Sequence, residues 1–328
     1  MKWLAAGIVA LGLAVPPRTG APGFYRRVAS VHWVVRDLDR VKAGWGRLGF
    51  PARDLGEMTV AGSLRGRTGS ARFRVAQARL AEANVVWIQP VEGESALREH
   101  LDRHGDGVFS LNYAVPSREA LDAEVGRLAG LGVAVLQRAD LPTPTGRLTV
   151  VHMDTAADGK YVVGLLSGDA PPPPADGTST GHPLKLSQYA LVVRSLESAS
   201  AYWQRLGLPA MEITHGPLSD LRYRGQPGRF DQRLGWHRHG TVTWEWIEPV
   251  AGPTVYEEYL KEHGEGLHHL AFDVPDMDAA CAAWEALGVP IVQSGAWGEK
   301  GKPGSGRFAY AATDAFGGVT TEFLWSQR

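Results

Sequence analysis

The feature that most constrains this chain is that its two halves repeat each other. Val34-Val35-Arg36-Asp37-Leu38 recurs as Val192-Val193-Arg194-Ser195-Leu196, and Arg47-Leu48-Gly49 as Arg205-Leu206-Gly207, both at an offset of 158 residues. Ile88-Gln89-Pro90-Val91-Glu92-Gly93 returns as Ile247-Glu248-Pro249-Val250-Ala251-Gly252, and His104-Gly105-Asp106-Gly107 as His263-Gly264-Glu265-Gly266, both at 159. Matches in the same order at a nearly constant offset mean a duplicated domain. The length of 328 residues also suits two cores rather than one. A run of prolines from Pro171 to Pro174, followed by Gly, Ser and Thr, has nothing to bury and marks a linker at residues 170–183.

Each half contains a weaker echo of about 80 residues. An apolar, β-rich run (residues 31–35, 111–115, 188–193 and 270–274) leads to a helical pattern ending in Leu-Gly at Leu48-Gly49, Leu131-Gly132, Leu206-Gly207 and Leu287-Gly288. Short strands follow each helix, so the chain reads as four βαβββ units, two per half. The expected class is α+β. Its domains span residues 23–169 and 184–328.

Residues 1–22 stand apart. Met1-Lys2-Trp3 precedes an uncharged apolar run that breaks at Pro16-Pro17, long enough for a signal-peptide core and too short to span a bilayer. The expectation is a signal peptide and export to the periplasm or outside the cell, with a cytoplasmic leader as the alternative. A net charge of −1 excludes the basic surface of a nucleic-acid binder. The arginines at 222, 224, 229 and 233 alternate with Gly and apolar residues as on an exposed strand face. Cys281 is the only cysteine, so there is no internal disulfide and no thiolate-rich zinc site. Its helical surroundings predict a buried structural thiol.

In a βαβββ unit the first and last strands can lie side by side, so inward-facing residues of two units converge. In the second half the opening strands begin at Gln188 and at His269, and the closing strands carry Glu245 and Glu322. Alternation puts Glu245 opposite Trp244 and Trp246, and Glu322 opposite Phe323. A carboxylate inside an apolar strand is costly unless a charge compensates it. Two carboxylates with a His and a Gln therefore form a coherent metal shell, whereas His268 faces the other way and is assigned to packing. The corresponding first-half positions are Ser30, Val86, Ser110 and the run Val162-Val163-Gly164, which cannot form such a shell. The first domain is thus expected to keep the fold without the site. His32 is assigned to packing there. His215, His237 and His239 lie in polar, Arg-rich segments and are read as surface residues, with His237 and His239 the candidates for the pocket wall.

The second half resembles the vicinal oxygen chelate superfamily, which includes glyoxalases, methylmalonyl-CoA epimerases, bleomycin- and fosfomycin-resistance proteins and extradiol dioxygenases. The resemblance covers roughly residues 186–326. It is carried by Gly264-Glu265-Gly266-Leu267-His268-His269-Leu270-Ala271-Phe272, by the turn after Glu245, and by Gly317-Gly318-Val319-Thr320-Thr321-Glu322. It is similar above all to the epimerase-like and glyoxalase-like branch. It implies two tandem domains forming cupped, partly open barrels, and the ligand set Gln188, Glu245, His269 and Glu322. His is common at the first of these positions, and Gln also occurs there in the superfamily.

Such a shell carries about two negative charges and suits one divalent ion: Zn, Mn, Co, Ni or Fe. The expected partner is a small-molecule substrate, a hydroxy- or keto-acid or a sugar-like compound, chelated through two oxygens so that loss of a neighbouring proton leaves a stabilised enolate. Glu322 is the first choice for the base and Glu245 the second. Asp273, four residues beyond His269, is expected behind the ligands. Lys302, in the glycine-rich stretch 297–306, is expected on a mobile cover that meets an anionic substrate. These features predict a metal-dependent isomerase, epimerase or lyase. The alternatives are an extradiol-type dioxygenase and a non-catalytic binding or resistance protein.

Overall fold

The computed structural model describes residues 20–143, 146–175 and 183–327. Nearly all of the leader, and residues 176–182 of the linker, lie outside the described residues. In the first half β1 (Ser30–Val34) leads through α1 (Leu38–Arg47) to β2 (Arg53–Leu64), β3 (Arg67–Leu80) and β4 (Ala83–Glu92). Then α2 (Ala96–His104) delivers the chain to β5 (Gly107–Ala114), α3 (Arg118–Gly130), β6 (Val135–Thr143), β7 (Gly146–Met153), the short α4 (Ala156–Gly159) and β8 (Val162–Gly168). The second half opens with β9 (Lys185–Val192), α5 (Leu196–Arg205), β10 (Glu212–Thr214), β11 (Leu218–Tyr223), β12 (Gln226–Pro227), β13 (Asp231–His237) and β14 (Thr243–Ala251). It closes with α6 (Val255–Glu262), β15 (Gly266–Asp273), α7 (Met277–Ala286), β16 (Ile291–Trp297), β17 (Gly306–Ala311) and β18 (Thr320–Ser326).

The helix boundaries follow from local chemistry. Asp37, Ser95, Ser117, Ser195 and Asp276 each accept a hydrogen bond from a first-turn amide, and Thr254 forms a reciprocal capping box with Glu257. The four Leu-Gly endings stop α1, α3, α5 and α7, with φ of 92°, 81°, 98° and 81° at their glycines.

First and last strands of every unit pair in parallel: β1 with β4, β5 with β8, β9 with β14, and β15 with β18. The central strands of each half, β1 with β5 and β9 with β15, run antiparallel and join its two units. The halves nevertheless differ. The first is a closed barrel in the order β1-β4-β3-β2-β6-β7-β8-β5, sealed where Gly62 of β2 meets Ala139 of β6. The second stays an open, curled sheet in the order β10-β13-β14-β9-β15-β18-β17-β16-β11-β12. Here the ribbon corresponding to β2 is broken at His215-Gly216-Pro217, and Pro227 has no amide to donate to a ladder. A partly open barrel, expected of both halves, is found only in the second.

The outer faces of the central strands carry Trp33, Trp87, Trp244, Trp246 and Phe323 into one apolar core that both halves share. Polar contacts seam the halves together. Lys160 pairs with Glu265 at 2.8 Å, and His104 and His263 each place Nδ1 on the other's carbonyl at 2.8 and 2.7 Å. Among the described residues no helix is long and apolar enough to cross a membrane. The arginines behave as an exposed strand face does: Arg224 pairs with Glu258, and Arg233 with Glu197 and Glu248. Cys281 is only half-buried, its Sγ 3.8 Å from Met277 Sδ, because α7 turns that side toward a surface groove.

Several histidines are folded in as neutral groups, His152 and His237 among them. Burial, helped by His32, holds His152 down to about 3, and burial with His239 holds His237 down to about 4, against an ordinary value of 6.5. Unfolding therefore takes up a proton at each once the pH falls below about 6.5. Stability is fully present above that value and is lost as pH falls toward the folded-state values, with a slope of about 1.4 kcal/mol per pH unit per histidine. Urea midpoints measured from pH 7 to pH 5 should fall less steeply in a His152→Phe, His237→Phe double variant than in the wild type. Parallel slopes would refute the assignment.

Candidate metal centre

The register that builds the second half also builds its centre. Thr243 on β14 pairs with Gln188 on β9, and Glu245 pairs with Ala190. On the other side His269 faces Ala190, while Ala271 sits between Gln188 on β9 and Glu322 on β18. The four side chains project from adjacent strands to one point on the concave face. His269 Nε2 lies 3.1 Å from Glu322 Oε2 and 3.5 Å from Glu245 Oε2. Ligand atoms of these three residues lie within 4.8 Å of one another. The amide end of Gln188 reaches to 3.1 Å from Glu245 Oε2 and 3.2 Å from Glu322 Oε2. With its nitrogen inward it donates to both carboxylates, and with its oxygen inward it adds a fourth donor.

Glu245 and Glu322 are 6% and 4% exposed, and His269 is fully buried. Their ion pairs among the described residues run to His269 alone. Two buried carboxylates on one imidazole leave a negative excess. Burial, together with the neighbouring Glu322 charge, raises the Glu245 carboxyl above the usual range. For His269 burial opposes the imidazolium, but Glu322 and Glu245 outweigh it and push the group up to about 9. The pocket thus selects positive charge at one point, and its O- and N-donors fit a divalent cation.

His268 requires a correction. It was assigned to packing, yet its Nδ1 lies 2.9 Å from His269 Nδ1. A register shift of β15 against β9 between Leu267 and His269 twists the strand enough for neighbouring rings to meet. Burial, with His269 and His263 nearby, holds His268 well below its ordinary value, so it stays neutral and can accept the Nδ1 proton of His269. Once a cation replaces the Nε2 proton of the imidazolium, that bond keeps Nε2 of His269 as the ligating nitrogen. His268→Phe is expected to weaken binding of a divalent ion by about 10–100-fold while the chain still folds. Titration with Zn against a competing chelator checks this, and unchanged affinity would return His268 to packing.

The centre opens into a cavity of about 600 Å³. Asp273 is exposed, not packed behind the ligands, and lines it. Lys302 does not: it projects from a tight turn in which its backbone bonds Glu299 and Ser305, and only Trp297 and Gly298 of that stretch reach the cavity. His237 and His239 are also misplaced by the sequence reading. His237 is 1% exposed and packs edge-on to Trp246 on the convex face, and His239 stacks on Trp244. Alternation along β13 turns Trp236 and Arg238 into the cavity instead. His215 does line it, half-exposed and bonded to Asp231 at 2.9 Å.

Sequence reasoning also missed Tyr256 and Tyr310. Both line the cavity, and their hydroxyls bond at 2.7 Å beside the carboxylates. Tyr310 pairs directly with Glu322 across β17 and β18, a signal visible only once that pairing is known.

Among the described residues the first half has no equivalent centre. Ser30, Val86 and Ser110 occupy the corresponding positions, and the register of β5 with β8 makes Gly164 the counterpart of Glu322. A Cβ on Gly164 would lie 1.7 Å from Asn112 Oδ1. The Asn112 side chain fills that space, donating to the Ser30 carbonyl at 3.0 Å and accepting from Ser110 Oγ at 3.1 Å.

The sequence model of the Glyoxalase/Bleomycin resistance protein/Dioxygenase superfamily matches residues 30–180 and again 187–310. No curated protein matches the chain in sequence. A triple mutant of 4-hydroxymandelate synthase from Streptomyces coelicolor superimposes with a TM-score of 0.58 at 18% identity, over 92% of each chain. A xylose isomerase-like TIM barrel/4-hydroxyphenylpyruvate dioxygenase fusion protein gives 0.56 at 16% identity, over 97% of this chain and 51% of that one. The Mn(II)-bound glyoxalase from Novosphingobium aromaticivorans gives 0.50 at 18% identity, over 92% and 83%.

Proposed function

Because the chain belongs to the glyoxalase/bleomycin resistance protein/dioxygenase superfamily, we propose that it is a metal-dependent isomerase, epimerase or lyase acting on a small hydroxy- or keto-acid or a sugar-like substrate. The observation that carries this reading is the convergence of Glu245, His269 and Glu322, all buried, at the floor of an open cavity. Gln188, Glu245, His269 and Glu322 would hold the ion. The chemistry supplied by a divalent cation held there would be Lewis acidity, polarising a substrate carbonyl or carboxylate and so acidifying the neighbouring C–H.

The remaining steps belong to the chain. Glu322 faces the cavity and takes the proton, and Glu245, in its ionised form, is the second acceptor. Trp236 and Tyr310 wall the cavity and limit water around the reacting carbon. Arg238, although paired with Glu212, is the cationic group of the lining that faces a substrate carboxylate. An exported chain would not meet coenzyme A thioesters, which favours a free acid or sugar derivative.

A second reading is an extradiol-type dioxygenase, favoured by the pairing of a siteless first domain with an acidic second one. Gln188 and the extra carboxylate of Glu245 weigh against the two-His, one-carboxylate set such enzymes use. The test is to incubate the metal-loaded chain with hydroxy- and keto-acids in D₂O and follow loss of the proton next to the carbonyl by NMR. Exchange supports the proposal. Oxygen uptake with a catechol under Fe(II), without exchange, would replace it by the second reading. Stoichiometric binding with neither would make the chain a binding protein.

A further inference from the structure

Among the described residues the first barrel has no charged centre, yet it is not solid. Its interior holds a cavity of about 160 Å³ in the place that the metal centre occupies in the other half. The walls are apolar: Met58, Val60, Phe73, Val75, Val86 and Val150. Ala170 and Pro171, where the chain leaves the barrel, lie over its rim, and Arg53 holds that segment by donating to the Pro172 carbonyl at 2.7 Å.

The lining also has polar residues: Gln77, Asn84 and Gln137, whose side chains are hydrogen-bonded within the first half, and three whose polar atoms are not. Ser30 Oγ, His32 Nδ1 and His152 Nε2 all belong to cavity residues, are buried, and have no partner among the described residues. Ser30 is 5% exposed and His152 3%. Leaving a buried polar atom unpaired costs about 1–3 kcal/mol. His32 and His152 are 5.8 Å apart centre to centre, and Phe109 packs edge-on to His152 at 4.9 Å, so the imidazoles are held in place. His32 stands where the second half has Ala190, and His152 where it has Tyr310. Where the second half has Ala190 and Tyr310, the first barrel thus has two neutral imidazoles. The earlier assignment of His32 to packing is therefore incomplete.

We propose that the first barrel is a second binding site, which takes an uncharged molecule of single-ring size bearing one hydroxyl, the ring among the apolar walls and the hydroxyl on His152 Nε2. The size fits, because a dry apolar cavity of about 150 Å³ is enough to take up benzene. A hydroxyl fits because it both donates and accepts, and so satisfies Nε2 in either tautomer of the ring. A carboxylate does not fit, since no cationic side chain lines this cavity. The site is independent of the chemistry proposed for the second half.

The test is fluorine NMR with 4-fluorophenol and fluorobenzene as probes on the full, metal-loaded chain. Saturable one-to-one binding of 4-fluorophenol is expected, and Val150→Trp, which fills the cavity, should abolish it while the bound metal stays unchanged. Val86→Phe is the second filling variant should the first fail to fold. His152→Phe should weaken 4-fluorophenol about tenfold, the worth of one hydrogen bond, and leave fluorobenzene unaffected. No saturation at millimolar probe, or binding that survives a folded filling variant, overturns the proposal. An equal effect of His152→Phe on both probes would refute the hydroxyl anchor.

Discussion

His269→Ala is expected to yield a folded chain that no longer retains a divalent cation. Its imidazole is the only nitrogen donor among Glu245, His269 and Glu322, and the two carboxylates meet on its Nε2 at 3.5 and 3.1 Å. Losing it should exceed the roughly 10–100-fold loss typical of an outer partner such as His268. The bound metal should drop from one equivalent per chain to a trace after dialysis. Glu322→Ala should weaken metal retention as well and, by removing the base, slow proton exchange by about 10²–10⁴-fold. Metal analysis of the purified chains and the D₂O exchange assay read the two effects separately. Full turnover by a metal-stripped wild-type sample would sink the proposed chemistry, and one equivalent of metal on His269→Ala would sink the ligand assignment.

Gly318→Val is expected to have the largest effect on stability, although the residue touches no substrate. Gly318 has φ of +79°, and an added Cβ would lie 2.0 Å from the Asp106 carbonyl oxygen of the other half. A β-branched residue there carries about 1–3 kcal/mol of backbone strain and about 1–3 kcal/mol of overpacking. The surroundings cannot yield easily. The preceding Gly317 carbonyl accepts the Trp33 indole N–H at 2.5 Å, and Asp106 is held by the Arg36 amide at 2.9 Å. The urea midpoint should fall by the equivalent of about 3 kcal/mol or more, with loss of metal because Glu322 lies four residues on. A midpoint within about 1 kcal/mol of the wild type would show that the two halves can part at this turn.

Much of the fold was legible because repetition and alternation are one-dimensional signals. The constant offset divides the chain into equivalent units, the Leu-Gly endings mark the helix stops, and period-two alternation decides which side chains share a face. Gln188, Glu245, His269 and Glu322 follow from those rules together with the resemblance, and the structure brings all four to one place. The misreadings share a cause. His237 and His239 were judged by the polar company they keep in sequence, but burial depends on which face of β13 a residue occupies. Lys302 was placed by the composition of its loop, which says nothing about where that loop points.

The sequence alone determined the duplication, the βαβββ units, and the absence of a His-and-carboxylate set from the first half. Closure of one sheet and opening of the other needed the tertiary structure, since it depends on whether Gly62 of β2 can reach Ala139 of β6, 139 − 62 = 77 positions further along the chain. The contact of His268 with His269 was likewise invisible, because strand alternation separates neighbours and only the local register shift rejoins them. The empty space in the first barrel is tertiary in the same sense. It exists because Ser30 and Val86 leave room that the surrounding walls do not close, a property of packed surfaces that no single position in the chain encodes.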